Sequence, residues 1–353
     1  MKAQAGTDAK SVALIGENPP RRPFLATFLR WEWMLVGLIL LDVFINTRLS
    51  PFFLDAKNLS RTSSDFMEIG LMMLPMVFII ITGNIDLSIA SNMGMSASFM
   101  GLLHNLGVNI WVSALAGLLL GTLGGILNGY LVSRVRLPAL VVTLGTYAFY
   151  RGIAYGLLGD QAARGYPKAF TYFGQGKVFG TLIPFSVALF IILAIVFGLV
   201  LHRTTFGRAW RAIGFSPEGA RYASIPVKRR LALVYVLAGA IAGLAAIVYT
   251  SRLGQAKADA GTGYELFAIT AVVLGGASIF GGIGSVHGTL LGVAALAVLS
   301  NGLVHARQPR EVAGMLTGAL LLLSLAVTVL QKKIAERRRR HYSLVSTTPK
   351  QIT

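Results

Sequence analysis

The chain has 353 residues, of which 54% are hydrophobic and only 13% are charged, and it contains no cysteine. A soluble domain of this length needs more charged side chains to cover its surface, and the lack of cysteine excludes disulfides, thiol nucleophiles and cysteine-ligated metals. The net charge of +18 does not indicate a nucleic-acid partner, because the lysines and arginines concentrate between apolar blocks, as in membrane proteins.

Long apolar blocks recur from residue 33 to residue 330. A helix needs about 20 apolar residues to cross a bilayer, so the pattern predicts an all-α membrane protein, a polytopic bundle of about ten transmembrane helices. The first block has no small-residue cleavage site and is expected to remain as an anchor. The predicted spans are 33–47, 66–83, 85–103, 110–133, 139–158, 182–201, 231–250, 264–280, 286–304 and 312–330.

The lysines and arginines also predict the orientation, because cytoplasmic loops are enriched in both. They concentrate before the first span, after the fourth, in a long loop at 202–230 and after the last span. With ten spans these segments share one side, so the N-terminal segment 1–32 and the basic tail 331–353 are both predicted to be cytoplasmic. The basic run at 336–340 is expected to bind anionic lipid or to anchor the last helix. The opposite side receives the loops at 48–65, 159–181 and 251–263.

Glycines interrupt the bundle in two regions that resemble each other. Phe66 to Leu103 consists of a span, a break that contains Gly83, and a helix rich in small residues. Phe267 to Leu299 has the same order around Gly281-Gly-Ile-Gly-Ser285. The two regions suggest a parallel internal repeat.

Asp86 is the most informative acidic residue, because it lies between two apolar spans. A carboxylate at the centre of a bilayer costs about 2.5 to 3.5 kcal/mol on insertion scales. One interpretation is a broken helix whose polar groups line a solute path. The other, which we favour, is that Asn84 or Asp86 caps the next helix, and the two are compatible.

Further polar residues occur at membrane depth in the fourth and fifth spans. They either face a solute path or bond to neighbouring helices, which is the commoner arrangement. Arg151, near the outer end of the fifth span, is expected to extend its guanidinium to the membrane interface. The predicted path residues are Asn84, Asp86, Ser88, Asn128 and Thr143.

The loop 202–230 carries helix signals of its own. Ser216, Pro217 and Glu218 are suited to the cap, the first position and the first turn of a helix. Such a helix either rests on lipid headgroups or docks to a cytosolic partner, and the lack of a lysine-rich face disfavours simple lipid binding.

No feature of the sequence predicts an enzyme or a cofactor. No nucleophile–base pair or metal-ligand spacing is present. Gly174-Gln-Gly-Lys177 is followed by Val178 and so is not a phosphate-binding loop of the Walker type. If ATP drives transport, a separate chain must bind and hydrolyse it.

Three motifs resemble the ribose-type, or monosaccharide, permeases of bacterial ABC importers, and the similarity covers nearly all of 33–330. Gly83-Asn-Ile-Asp-Leu-Ser-Ile-Ala90 is similar to the family's G-G-I-D-L-S-V-G. Ile213-Gly-Phe-Ser-Pro-Glu-Gly-Ala-Arg221 resembles its cytoplasmic coupling segment, although Gly219 replaces a usual alanine. Ala271 to Ser285 resembles its A-x-V-L-G-G…G-G-x-G-S stretch, and Leu137 to Gly145 adds support.

Shorter segments narrow the resemblance within the family. Ser64 to Phe66, Gly165 to Phe170 and Ile225 to Val227 are similar to the second permease of autoinducer-2 importers, with rhamnose-type permeases as near relatives.

The resemblance implies a function and partners. Two permease chains, identical or different, would sit in the inner membrane on two cytosolic ATPases, and a periplasmic binding protein would deliver a small sugar-like solute. The permease itself would have no catalytic residues. An ion-coupled secondary transporter is the alternative, for which Asp86 is the clear candidate acid and Glu68 and Asp42 lie near span ends. The coupling residues that the resemblance implies are Gly214, Ser216, Pro217, Glu218, Ala220 and Arg221.

Overall fold

A computed structural model describes residues 31–346, with the backbone alone described from 331 onward and at Phe179, Arg310 and Thr328. Most of the predicted N-terminal segment and the last seven residues of the predicted tail therefore lie outside the described residues. The helices are α1 (Trp31–Leu49), α2 (Ala56–Asp65), α3 (Met67–Ile81), α4 (Ile89–Asn105), α5 (Ile110–Tyr130), α6 (Ala139–Leu158), α7 (Lys168–Gln175), α8 (Phe185–Arg203), α9 (Thr205–Phe215), α10 (Pro217–Tyr222), α11 (Val227–Leu253), α12 (Tyr264–Leu274), α13 (Val286–His305) and α14 (Arg310–Ser346).

The all-helical class is confirmed across the described part of the chain, where the only β-type pairs are two isolated bridges. Each predicted span contains a helix. By length and hydropathy, four helices of the described chain qualify as membrane spans, namely α5 with its π-turn at Leu131–Val135, α8, α11 and α13. The pair α2 and α3, bent by 48°, qualifies as a fifth if it is one span. The bundle is therefore polytopic, and the count of ten spans stays a prediction.

Two helices are shorter than predicted because irregular breaks replace their ends. The span predicted to begin at 85 starts as a helix only at Ile89. The span predicted to end at 280 ends at Leu274, before Gly276, whose φ of 88° lies in the left-handed region that favours glycine. The last helix is longer than predicted, because α14 extends past the predicted span end at 330 and reaches Ser346 within the predicted tail.

The helix α4 forms the centre of the bundle. Its residues from Ile89 to Ser98 are all buried. The helices α5 and α11 pack beside it over glycines, and a Cβ at Gly121 would lie 2.9 Å from the backbone of both Gly239 and Gly243. Membrane helices gain from such close backbone approach, because no hydrophobic effect drives their association inside the bilayer.

The loops gather at two ends of the bundle in the groups that the sequence predicts. At one end, Asn58 and Asn301 exchange amide hydrogen bonds at 3.0 and 3.2 Å, and Arg252 pairs with Asp65 at 2.6 Å. At the other end, the N–H of Gly282 donates to the carbonyl of Ile81 at 2.7 Å. The break after α3 and the break after α12 therefore meet.

Candidate translocation and coupling site

The break between α3 and α4 is organised by Asp86. The chain turns at Gly83, with a φ of 79°, and Asp86 is 2% exposed. Its Oδ1 accepts from the Ser88 N–H at 2.8 Å and from the Ser88 hydroxyl at 2.7 Å. Asp86 thus bonds to Ser88, which is the N-cap residue of α4, so it supports the start of the helix without being its cap. Asn84 is not the cap residue either, and its amide donates to the Thr82 hydroxyl at 3.0 Å.

Three of the five predicted path residues, Asp86, Ser88 and Asn128, form one polar network, and a fourth, Thr143, lies beside it. The Ser88 hydroxyl accepts from Asn128 Nδ2 at 2.7 Å, and the Thr143 hydroxyl donates to the carbonyl of Ile85 at 3.2 Å. Tyr150 extends the network, since its hydroxyl lies 3.2 Å from Asn128 Oδ1 and 2.8 Å from the Gly124 carbonyl oxygen. Sequence analysis missed Tyr150, because a tyrosine in an apolar helix gives no signal of a buried partner.

This network is sealed inside the bundle. Asp86, Ser88, Asn128 and Thr143 are all at most 2% exposed. The polar groups therefore bond to one another and line no open channel in this conformation. Their role in a path stays a prediction that requires the bundle to rearrange.

Replacing Asp86 tests whether the carboxylate matters through its hydrogen bonds. Asp86→Asn keeps an oxygen for the Ser88 amide, whereas Asp86→Leu leaves buried donors unsatisfied, at about 1 to 3 kcal/mol each. We expect Asp86→Asn to keep most uptake and Asp86→Leu to lose it, as measured by labelled-solute uptake normalised to the amount of protein in the membrane. Normal expression and uptake of Asp86→Leu would contradict this role.

The predicted coupling loop folds into α9 and α10. Trp210 fixes α9 to the bundle, because it is fully buried, stacks on Phe78 of α3 at 4.6 Å between ring centroids, and donates from Nε1 to the Arg230 carbonyl at 3.0 Å. Movement of α9 must therefore act directly on α3.

Gly214, at the end of α9, lies where the two glycine breaks meet. A Cβ there would overlap the Ile81 carbonyl oxygen and the Gly282 nitrogen, which are hydrogen-bonded to each other. A Cβ at Gly281 would in turn come 2.8 Å from the Gly214 oxygen. We call the contact of Ile81, Gly214 and Gly282 the glycine junction. It joins the coupling segment to the end of α3 and to the break after α12.

The helix α10 presents most of its side chains to the outside. The predicted cap is confirmed, since the Gly219 N–H donates to the Ser216 hydroxyl at 3.0 Å and Pro217 opens the helix. The exposed residues are Ser216, Pro217, Glu218, Arg221 and Tyr222.

Two of the predicted coupling residues do not lie on this surface. Ala220 is only 3% exposed and faces the bundle, and Gly214 lies in the junction. Sequence analysis also missed two exposed aromatic residues, Phe215 and Tyr222, whose exposed fractions are 69% and 91%. Large exposed aromatic side chains of this kind anchor many protein–protein interfaces.

A basic groove of about 500 Å³ adjoins α10. It lies between the turn after α5 and the start of α11, and no carboxylate is among its lining residues. This end of the protein is therefore electrostatically suited to an acidic partner surface or to anionic headgroups. Its charged lining residues are Arg134, Arg136, Arg221, Lys228 and Arg229.

Arg151, which was predicted to extend to the membrane interface, bonds to the loop after α11. Its Nη1 donates to the carbonyls of Ala258 at 2.6 Å and Ala260 at 2.9 Å. The loop after α11 folds back over the bundle and brings these acceptors within reach.

Comparison with known proteins assigns the family. Residues 58–325 match the family model described as "Branched-chain amino acid transport system / permease component". The chain is 39% identical to the Autoinducer 2 import system permease protein LsrD of Escherichia coli (strain K12) and to that of Shigella flexneri, over 83% of this chain and 90% of each relative. It is 38% identical to LsrD of Photorhabdus laumondii, over 84% of this chain and 90% of the relative. No solved structure matches the chain. The chain therefore belongs to this family of ABC importer permeases, as its motifs indicate, and is a membrane transport subunit.

Proposed function

We propose that the chain is the permease through which an ABC importer moves autoinducer-2, or a related sugar-like solute such as rhamnose, across the inner membrane. The glycine junction is the observation that carries this proposal, because it ties an exposed docking helix to both breaks in the bundle. The names of the LsrD relatives support autoinducer-2 as the solute.

The proposed complex holds two permease chains, two cytosolic ATPases and a periplasmic binding protein. The helix α10 enters a groove on the ATPase, with Glu218 and Tyr222 exposed on its outer surface. ATP-driven closure of the ATPases moves α9 and α10 together, since Ser216 is the only residue between them.

That movement reaches the sealed polar network through two contacts. Trp210 transmits the movement to Phe78 of α3 through their stacked rings. Gly214 transmits it through its backbone contact with Ile81, five residues before Asp86. Opening the network exposes side chains that donate and accept hydrogen bonds, as a hydroxylated solute requires. The permease thus changes access to the path and leaves ATP hydrolysis to its partner.

A panel of labelled solutes tests the choice of solute. The complex in proteoliposomes is expected to take up autoinducer-2 faster than rhamnose or ribose, and not to take up leucine, which the family description would allow. Uptake of leucine alone would contradict the proposal.

The proposed orientation places both termini in the cytoplasm. A reporter fused after Gln331 should report the cytoplasm, and one inserted within 159–181 should report the periplasm, because the basic segments 134–136 and 202–230 lie opposite the second site. Two cytoplasmic reports would overturn the ten-span orientation.

An ion-coupled secondary transporter is the second candidate, and buried carboxylates favour it. Besides Asp86, Glu68 and Glu265 are at most 7% exposed. Glu68 is held in an ion pair with Arg252 at 2.8 Å, which disfavours a role in carrying a proton. Uptake that continues without ATP would favour this candidate.

A further inference from the structure

The end of the bundle that holds the loop after α11 contains two charged side chains, one half-buried and one buried, with buried atoms that make no hydrogen bond. Arg151 of α6 uses Nη1 for the carbonyls of Ala258 and Ala260, but its Nε and Nη2 are buried without a partner. Glu265, in the first turn of α12, is 7% exposed, and its Oε2 is also buried without a partner.

These two groups have opposite charges but form no ion pair with each other. Arg151 bonds to the carbonyl of Ala260, five residues before Glu265, and the ion pairs among the described side chains are those of Arg252 with Asp65 and Glu68. Buried polar atoms normally find partners. The unused atoms of Arg151 and Glu265 therefore need a partner that this closed conformation does not provide.

The loop 255–261, which we call the strap, lies against Arg151 and ends four residues before Glu265. Ala256, Ala258 and Ala260 are at most 2% exposed, whereas Asp259 between them points outward. The strap is held at its start by hydrogen bonds of 3.0 Å in both directions between Ala256 and Ala163.

The lack of a side chain at Gly94 of α4 leaves room for the Arg151 guanidinium and the strap. A Cβ there would lie 2.7 Å from Arg151 Nη1 and 2.9 Å from the Ala260 oxygen. The guanidinium therefore lies between α4 and the strap, with two neutral carbonyl oxygens as acceptors. Hydroxyl oxygens of a neutral solute are chemically equivalent acceptors for the same donors.

We propose that Arg151 and Glu265 form a binding site for the hydroxyl groups of a neutral sugar-like solute, and that the strap occupies this site in the closed state. When the strap lifts, solute oxygens replace the carbonyls of Ala258 and Ala260 on Arg151. The solute's hydroxyl hydrogens are then donated to Glu265, whose carboxylate only accepts. This inference rests on the proposed transport function, and it names Arg151 and Glu265 as the residues that recognise the solute.

The first test compares two solutes on the same protein, so that it does not depend on the amount folded. Proteoliposomes with the ATPase and the binding protein are given labelled autoinducer-2 or labelled ribose. We expect Glu265→Gln and Arg151→Lys to change the ratio of the two uptake rates by about tenfold, the effect of losing one charged hydrogen bond. Arg61→Gln is the control, since Arg61 is exposed on α2 and lies outside the strap, and it should keep the wild-type ratio.

The second test follows the strap and leaves both charged groups intact. Because the chain has no cysteine, Ala260→Cys provides a single thiol, with Asp259→Cys as the exposed control. We expect a membrane-impermeant thiol reagent to modify the thiol of Ala260→Cys about tenfold faster during ATP turnover than without ATP. The thiol of Asp259→Cys should react at the same rate under both conditions.

Two results would overturn the site. One is an unchanged ratio in both charge variants. The other is an Ala260→Cys complex that transports while its thiol stays unreactive. A wild-type complex that transports neither solute with ATP would instead refute the proposed function, so the two failures are distinguishable.

Discussion

Gly214→Ala is expected to abolish uptake and solute-stimulated ATP hydrolysis. The added Cβ would overlap the Ile81 carbonyl and the Gly282 nitrogen, and backbone atoms cannot move aside as a flexible side chain does. Overpacking of this kind destabilises a protein by about 1 to 3 kcal/mol. Here it would disturb the hydrogen bond between Gly282 and Ile81 that joins the two breaks. The variant should still insert in the membrane, because its ten apolar blocks are unchanged.

Gly219→Ala is the matched control, five residues further along the same segment. Its Cβ would lie 3.2 Å from the Ser216 hydroxyl oxygen, which belongs to a side chain, and alanine favours a helix over glycine by about 1 kcal/mol. We expect uptake and ATPase stimulation close to wild type, measured in the same proteoliposomes. Equal activity of both glycine variants would show that the junction does not transmit movement.

Glu218→Arg is expected to cause a comparable loss for a different reason. Glu218 is exposed on α10, and reversing its charge inside a docked interface leaves an unpaired charge there, at a cost of about 2 to 5 kcal/mol. Membrane insertion should be intact, while uptake and solute-stimulated ATPase activity are lost. The same charge reversal at Glu311, which is exposed near the start of α14 at the opposite end, should leave ATPase stimulation unchanged.

The lipid-surface interpretation of α10 predicts the reverse for Glu218→Arg. An added positive charge suits anionic headgroups, so a helix that rests on lipid would tolerate it. Normal uptake by this variant would therefore reject docking. Ala220→Trp is a poorer probe of the same surface, because Ala220 is 3% exposed and packs toward the bundle. It would disturb that packing whether or not a partner binds.

The sequence predicted the helical bundle well and its irregular parts less well. Hydropathy located a helix in each predicted span because apolar length is a direct requirement of the bilayer. It missed α2 and α7, which have only 10 and 8 residues and lie within predicted loops. Hydropathy also predicted that the span at 264–280 continues beyond Leu274. The glycine break there is surrounded by apolar residues, so the mean hydropathy stays high across it.

The residues of the candidate site were also predicted only in part. Asp86, Ser88 and Asn128 were identified because polar residues at membrane depth are rare, and the structure brings them within hydrogen-bonding distance. The burial of Ala220 and the strap over Arg151 depend on contacts between segments distant in sequence. A single sequence carries no direct signal of such contacts.

The energy source is the most direct test of the central claim, that this permease works through a separate ATPase bound at α9 and α10. The measurement is uptake of labelled autoinducer-2 into proteoliposomes that contain the purified complex and binding protein, with ATP present or absent and with ion gradients dissipated. We predict uptake with ATP and none without it. Uptake that needs a proton or sodium gradient and continues without ATP would contradict the claim.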